Sequence, residues 1–330
     1  MNPSSKPILC CGFTPCVQRI IEFDQMEKSA VNRAKRVTVG IGGKGANTAR
    51  MVNQLGGQAK LIEFAGGANG RLLEEMLDAE GVDFCHVDVS GATRICQTLV
   101  EAGHSETTEL VEEMPPLAPD EWNQMVALFN TLDGSGMVAI SGKLPAGAPV
   151  DAYALVAKRV AEQGGRVVLD APGEPLRQTL QYQPFIVKIN DVELLQTMGG
   201  DDVLLASREL IGQGAQSVLI TRGSRSAFYV DASRTLEIVP PKIAAVNPVG
   251  SGDAVTAGLV VALNNGVDLT EALIHGMACG AANALNLVSG LLVPADVAGQ
   301  TQPTATDGPA SYRTLWGVPD LQGLWDYRTI

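Results

Sequence analysis

The sequence predicts an α/β fold, a mostly parallel sheet covered by helices on both faces, and three observations carry that expectation. From Lys60 to Thr221, short β-rich apolar runs alternate with helix-length segments, the order produced by repeated strand–helix–strand units. Two glycine-rich turns, one around Gly42-Gly43 and one around Gly250-Ser251-Gly252, each lead into an apolar helical stretch. The 330 residues are 45% hydrophobic and include 36 glycines, which fits a packed enzyme with many tight turns better than a disordered or fibrous chain.

The elements follow in order. Residues 8–13 are an apolar run closed by Thr14-Pro15 and read as a first buried strand. Residues 20–23 and 36–39 nearly alternate, as strands of a small exposed sheet do. The loop Gly40-Ile41-Gly42-Gly43-Lys44-Gly45-Ala46-Asn47 then runs into an amphipathic helix over 46–55, forming an anion-binding helix start that contains a lysine; such a cluster can also be a plain turn. A strand over 61–64 precedes a helix over 71–79, and strand-like pieces at 84–89 and 95–100 precede a helix over 122–132. Strand 137–140 passes through Ser141-Gly142-Lys143-Leu144-Pro145 to a helix over about 151–163. Strands at 167–170, 185–189 and 218–221 are separated by helical segments such as 203–211. Ligands of open parallel sheets bind beyond the carboxyl ends of the strands, which makes Ser141, Asp170, Lys188, Asn190 and Thr221 site candidates.

The stretch around Val249-Gly250-Ser251-Gly252-Asp253 concentrates the chemistry. Pro248 discourages regular structure, Gly250 and Gly252 admit a ligand close to the backbone, and the apolar run 254–263 reads as a helix buried on most sides. The N–H groups of residues 250–253 then face an anion at a helix N-terminus, and Asp253 stands beside that anion, placed to take a proton from a hydroxyl attacking phosphorus. The competing reading is an N-cap Asp after a glycine turn. Arg94 is read either as a phosphate contact or as a surface salt bridge. Asn190 is read as a helix cap, and Glu193 as an exposed residue or one that reaches a hydrated Mg²⁺.

Composition excludes several classes. With 36 acidic and 24 basic residues the formal charge is −12, so nucleic acid and anionic membranes are not expected partners, and an anionic substrate needs local Lys or Arg. The six cysteines, Cys10, Cys11, Cys16, Cys85, Cys96 and Cys279, form no Cys-x-x-Cys pair and read as free, mostly core thiols of a reducing compartment. Residues 1–7 hold no long apolar run, so no signal peptide is expected, and the location expected is cytoplasmic.

These motifs resemble the PfkB carbohydrate kinases of the ribokinase-like fold, within them the branch of 1-phosphofructokinases and tagatose-6-phosphate kinases, over residues 8–292. Gly42-Gly43-Lys44-Gly45-Ala46-Asn47 is similar to the N-terminal signature, and Val249-Gly250-Ser251-Gly252-Asp253 to the C-terminal one, with its anion hole of Gly250, Ser251 and Gly252 and its catalytic Asp253. The resemblance implies a three-layer ribokinase-like domain over 1–293 with a β lid from about 20–23, 36–39 and 95–111, and lids of this family often pair into homodimers. It implies ATP and Mg²⁺ as cofactors and a phosphorylated ketohexose as substrate: fructose 1-phosphate, fructose 6-phosphate or tagatose 6-phosphate. Gly42, Gly43 and Asn47 would hold sugar hydroxyls, and Lys44 and Arg94 the sugar's phosphate. Lys188, Glu193, Thr221 and Gly223 would line the nucleotide site, with Asn190 and Glu193 meeting the metal through water. The alternatives are a kinase of an unphosphorylated sugar or nucleoside, which Lys44 and Arg94 argue against, and a non-catalytic sugar-phosphate sensor, which Asp253 argues against.

The chain departs from the family pattern at three internal positions. Where the family has an Asp gripping two sugar hydroxyls, the segment Thr14-Pro15-Cys16-Val17-Gln18 places Gln18, an amide with both donor and acceptor capacity. Ile189 replaces a usual proline, and Ser226 stands where a glycine is common. Residues 294–330 read as a separate tail, a Pro/Thr/Ala/Gly-rich linker followed by a segment carrying Trp316 and Trp325 that either docks on a neighbour or covers its own core.

Overall fold

The computed structural model describes residues 6–101, 107–293, 296–297 and 326–329. The first half of the chain runs β1 (Ile8–Cys11), β2 (Cys16–Phe23), β3 (Arg36–Gly42), α1 (Lys44–Gln54), β4 (Ala59–Ala65), α2 (Gly67–Ala79), β5 (Asp83–Asp88), β6 (Arg94–Glu101), β7 (Thr107–Val111) and α3 (Pro119–Phe129). It continues with β8 (Met137–Ser141), α4 (Ala152–Glu162), β9 (Arg166–Asp170), α5 (Gly173–Thr179), β10 (Ile186–Asn190), α6 (Asp191–Met198), α7 (Val203–Gly212) and β11 (Ser217–Thr221). The remainder is β12 (Ala227–Asp231), β13 (Thr235–Val239), α8 (Ser251–Asn264), α9 (Leu269–Ala284) and β14 (Asp326–Thr329).

Ten strands make the central sheet in the order β14-β13-β12-β11-β10-β9-β8-β1-β4-β5, and β3-β2-β6-β7 make a smaller second sheet. Every neighbouring pair from β11 to β5 is parallel, as the strand–helix alternation requires. β1 pairs with β4 on one side and β8 on the other, so the direction of winding reverses there, and a crevice opens beyond the carboxyl ends of these strands. The period of two in β1 divides the core. Ile8 and Cys10 pack with Met51 of α1, Leu259 of α8 and Leu273 of α9, whereas Leu9, Cys11 and Phe13 pack with Trp122 of α3, Tyr153 of α4 and Leu210 of α7. Phe13 centres the second layer, with the rings of Phe64, Trp122, Phe129 and Tyr153 at 5.7, 5.8, 5.8 and 5.4 Å.

One close approach ties this frame to the site. A Cβ on Gly45 would lie 2.6 Å from Gly12 Cα, so only glycine at both positions lets the start of α1 sit directly against the end of β1. That contact carries Lys44 and Asn47 to the mouth of the crevice.

The fold is the expected α/β architecture, with a large mostly parallel sheet flanked by helices and a small secondary sheet. In the small sheet β2 pairs antiparallel with β3 and parallel with β6, and β6 pairs antiparallel with β7. Its strands are longer than residues 20–23 and 36–39: β2 starts at Cys16 and β3 reaches Gly42, which brings the sheet down to the crevice. The sequence reading did not anticipate the antiparallel β12 and β13, whose five-residue strands are too short to give a clear alternation signal, or α9, a helix of mostly small residues. Within the expected 294–330 tail, β14 adds an edge strand to β13, pairing Leu236 with Thr329; the segment with Trp316 and Trp325 lies outside the described residues. All six cysteines are free, and among the described residues no helix is long and apolar enough to cross a membrane.

Candidate active site

A cavity of about 1160 Å³ opens between the small sheet and the carboxyl ends of the central strands. The first glycine turn reaches it with Gly43, Lys44 and Asn47, and the small sheet with Gln18 and Arg94. Beyond the ends of β10 and β11 it is lined by Lys188, Asn190, Glu193, Thr221 and Gly223, and the start of α8 closes its floor with Gly250, Ser251, Gly252 and Asp253. Gly42 lies just behind the wall: a Cβ there would sit 2.6 Å from Cys16 Sγ and 3.2 Å from Gln18 Oε1, so glycine is what allows Gln18 its place.

The floor is a helix N-terminus held by side-chain amides. Gly250 is the N-cap in the left-handed region at φ 81°, which lets the chain turn sharply into α8. Asn283 of α9 donates from Nδ2 to Val249 O at 2.9 Å and to Ser251 Oγ at 3.2 Å, while its Oδ1 accepts from Gly290 N at 3.1 Å. Asn247 Oδ1 accepts from Val249 N at 3.1 Å. The N–H of Ser251 is consumed by Pro248 O at 3.1 Å, but those of Gly250, Gly252 and Asp253 meet no acceptor among the described residues and remain open to an anion. A Cβ on Gly252 would lie 2.7 Å from Lys188 Nζ, so the glycine leaves that ammonium room to stand over the same cradle.

Asp253 is buried in the first turn of α8, where its Oδ2 accepts from Asn47 Nδ2 at 2.9 Å. The second oxygen, Oδ1, accepts no hydrogen bond from the described residues. Burial pushes the carboxyl up, the nearby Asp170 adds to this, and Lys44, Asn47 and Lys188 oppose it; the net result is about 6. At neutral pH the group is therefore ionised yet close to the range of an efficient proton acceptor. Asn47, expected on a sugar hydroxyl, orients this carboxylate through Nδ2, while its Oδ1 meets no partner among the described residues.

Asp170, at the end of β9, joins the two lysines of the site. Its Oδ1 accepts from Lys44 Nζ at 2.9 Å and its Oδ2 from Lys188 Nζ at 2.8 Å. Burial alone would raise its pKa, but the two ammonium groups outweigh burial and hold it down to about 2. The ammonium of Lys44, which burial alone would weaken as an acid–base cation, is held charged by Asp170 first and by Asp253 and Glu193 beyond it. Sequence reasoning had marked Asp170 only as a polar strand end; its bridging role depends on β9 lying between β8 and β10.

Other expected residues are engaged in ways that sequence did not reveal. Gln18 donates from Nε2 to Thr98 Oγ1 at 2.7 Å, so one of its donors is already spent within the small sheet. Arg94 donates to Thr14 O and Glu112 O at 2.9 Å each and to Pro15 O at 3.4 Å, in place of a carboxylate partner. Asn190 caps α6: its Oδ1 accepts from Glu193 N at 2.8 Å, and one oxygen of Glu193 accepts from Asn190 N at 3.4 Å. The backbone after β8 is fixed by Tyr153, whose hydroxyl donates to Gly142 O at 3.0 Å, a tertiary partnership that no sequence pattern marks.

Replacing Asp170 with Asn tests the ion-pair centre. It leaves two buried-side cations without their shared anion, which costs on the order of 3 kcal/mol of folding stability at pH 7. Asp170 is held below its unfolded value of about 3.9, so its contribution is present above pH about 4 and is lost as pH falls toward 2. Urea unfolding of both proteins from pH 3 to 8 should show the gap between them closing at the acid end; a gap independent of pH would contradict the ion-pair account.

The pattern of the pfkB family carbohydrate kinases matches residues 13–294. The chain is 29% identical to a D-tagatose-1-phosphate kinase of Bacillus licheniformis over 84% of its own length and 93% of the relative's. It is 28% identical to a 1-phosphofructokinase of Bacillus subtilis over 82% and 90%. Among solved structures, phosphofructokinase-2 from Escherichia coli in complex with substrates and products superposes with a TM-score of 0.83 at 26% identity, covering 89% of this chain and 98% of that one. With a family match that spans most of the chain, this protein belongs to the PfkB family and is a sugar kinase, a phosphotransferase of that type.

Proposed function

We propose that the protein is an ATP-dependent kinase that phosphorylates a hydroxyl of a phosphorylated ketohexose, with Asp253 as general base. The observation that carries the reading is the buried Asp253 carboxylate, oriented by Asn47 through one oxygen and open at the other, beside three unsatisfied N–H groups of a helix start. A binding module has no use for a proton acceptor at that place. The names of the bacterial relatives, a D-tagatose-1-phosphate kinase and a 1-phosphofructokinase, support a ketohexose phosphate as the acceptor.

The residues present fit ATP and Mg²⁺. Lys188 over Gly252 and the N–H groups of Gly250, Gly252 and Asp253 suit phosphate oxygens, Thr221 and Gly223 line the nucleotide end, and Asn190 and Glu193 stand where a hydrated cation would be held. When bound, ATP supplies the phosphoryl group and Mg²⁺ neutralises its triphosphate charge. The chain's own part is positioning and proton transfer. The acceptor hydroxyl would donate to Asp253 Oδ1 and pass its proton to that carboxylate as its oxygen bonds to the γ-phosphorus and the bond from that phosphorus to ADP breaks. The α8 N–H groups and Lys188 meanwhile stabilise the negative charge on the transferring group. Lys44 and Arg94 border the sugar end, where Gln18 offers a neutral amide in place of the family carboxylate.

Pairing of the small sheets between two copies is part of the same reading. The edge strands β3 and β7 expose Val37, Val39, Leu110 and Val111, more apolar surface than an unpartnered lid needs. A molecular mass of two chains in sedimentation equilibrium is expected, and a monomer at micromolar concentration would exclude it.

The activity test is ADP release with ATP and Mg²⁺ over fructose 1-phosphate, fructose 6-phosphate, tagatose 1-phosphate and tagatose 6-phosphate, with fructose and adenosine as controls. Turnover is expected on at least one ketohexose phosphate and not on the controls; the reverse pattern would favour a kinase of unphosphorylated acceptors. Asp253→Asn is expected to lower kcat by roughly 10²–10⁴-fold with little change in KM for ATP. A variant within threefold of wild type would remove Asp253 from the chemistry.

A further inference from the structure

At the β4–β5 edge of the central sheet, four side chains able to bind a metal gather under α2, and none of them lines the cavity described above. β4 pairs in parallel with the edge strand β5, with Glu63 opposite His86 and Ala65 opposite Asp88. The period of two along both strands decides which face these residues share. Leu61 and Phe84 pack in the same layer as Leu73 and Leu77 of α2, whereas Ile62, Phe64 and Val87 pack in the other layer. Glu63, His86 and Asp88 therefore leave the sheet on the α2 side, and Glu74, the residue after Leu73, faces them from the helix.

The separations suit a shared ion better than hydrogen bonds. His86 Nε2 stands 3.4 Å from Glu74 Oε1 and 3.6 Å from Asp88 Oδ1, and the three ligand atoms lie within 4.8 Å of one another. A charge-assisted hydrogen bond closes to about 2.7–2.9 Å. Two atoms bound to one tetrahedral Zn²⁺ at about 2.0–2.1 Å stand about 3.3 Å apart. The His86 ring is held in place by stacking on Phe84 at 5.9 Å. Asp88, with its side chain 91% exposed, leaves an ion a path of entry.

An independent observation comes from inside the fold. Glu63 is 1% exposed, and its Oε2 has no hydrogen-bond partner among the described residues. Burial, and after it the charge of Glu74, push the Glu63 carboxyl well above the usual range, which shows that the two carboxylates feel each other. An unpaired buried carboxylate beside a second one only costs the fold, whereas a cation between them satisfies both. Imidazole together with carboxylates suits a divalent ion such as Zn²⁺ better than Mg²⁺ or Ca²⁺, which prefer oxygen ligands alone.

We propose that Glu63, Glu74, His86 and Asp88 form a binding site for a divalent cation of the Zn²⁺ class, which ties the edge strand β5 to α2 and is separate from the kinase cavity. The site does not depend on which acceptor the enzyme phosphorylates.

In the experiment, the full chain is stripped with a chelator, and Zn²⁺ alone is titrated by calorimetry into wild type, His86→Ala and Glu63→Gln. Wild type should bind one Zn²⁺ per chain in a form that Mg²⁺ and Ca²⁺ do not displace, and its Tm should rise with Zn²⁺. Both variants should weaken Zn²⁺ binding at least about 10-fold and lose the rise in Tm. Neither should alter kcat or KM for ATP measured with Mg²⁺. Co²⁺ bound in place of Zn²⁺ should lack the charge-transfer absorption of a cobalt–thiolate bond; its presence would move the metal to a cysteine and overturn the proposal. The absence of saturable Zn²⁺ binding to wild type would overturn it too, as would an affinity within twofold of wild type in His86→Ala. The same result in Glu63→Gln would also contradict it, because the buried carboxylate is what separates this site from a surface histidine beside acidic groups.

Discussion

The site depends on one buried carboxylate, Asp170, held between the ammonium groups of Lys44 and Lys188 at 2.9 and 2.8 Å. Two lysines in a cavity that also contains Asp253 need a fixed arrangement, because each charge sets the ionisation of the others. Asp170 supplies it from the end of β9, a central strand whose position is set by both neighbours. The elements that bear Lys44 and Lys188 come from distant parts of the chain, α1 and β10, and meet only because the parallel sheet brings their ends into one crevice.

The same arrangement explains why Asp253 suits proton transfer. A carboxylate buried alone would be neutral over a wide range, and one paired directly with a lysine would be a poor base. Asp253 is between these limits: burial and Asp170 raise its pKa, Lys44, Asn47 and Lys188 lower it, and it settles near 6. The cost appears in stability. A carboxyl whose folded pKa is raised destabilises the fold as pH rises from about 4 to 6, so the protein carries at neutral pH a cost that the proposed role of Asp253 as base explains.

Much of this was legible in the sequence, for identifiable reasons. The parallel strands are apolar on both faces and separated by helices, so β1, β8, β9, β10 and β11 stood out, and the rule that ligands bind at strand ends pointed to Asp170 and Lys188 before any coordinates. The turn before α8 was legible because glycines and a carboxylate at a helix start have few other uses. Partnerships were not legible. That Asn47 orients Asp253, that Gln18 is tied to Thr98 and that Arg94 holds the backbone carbonyls of Thr14 and Glu112 are facts of tertiary contact, between residues 18 to 206 positions apart. The antiparallel β12 and β13 escaped because their strands are short, and α9 because the small residues that fill its second half leave little amphipathic signature.

The pH dependence of kcat tests most directly whether buried Asp253 is the base. Wild type and Asp253→Asn are compared from pH 5 to 8 at saturating ATP and sugar phosphate, so that ionisation of the substrates affects both alike. Wild-type kcat should fall about tenfold per pH unit below about 6 and level off above it, whereas the residual activity of Asp253→Asn should lack that limb. Parallel profiles for the two proteins would contradict the account.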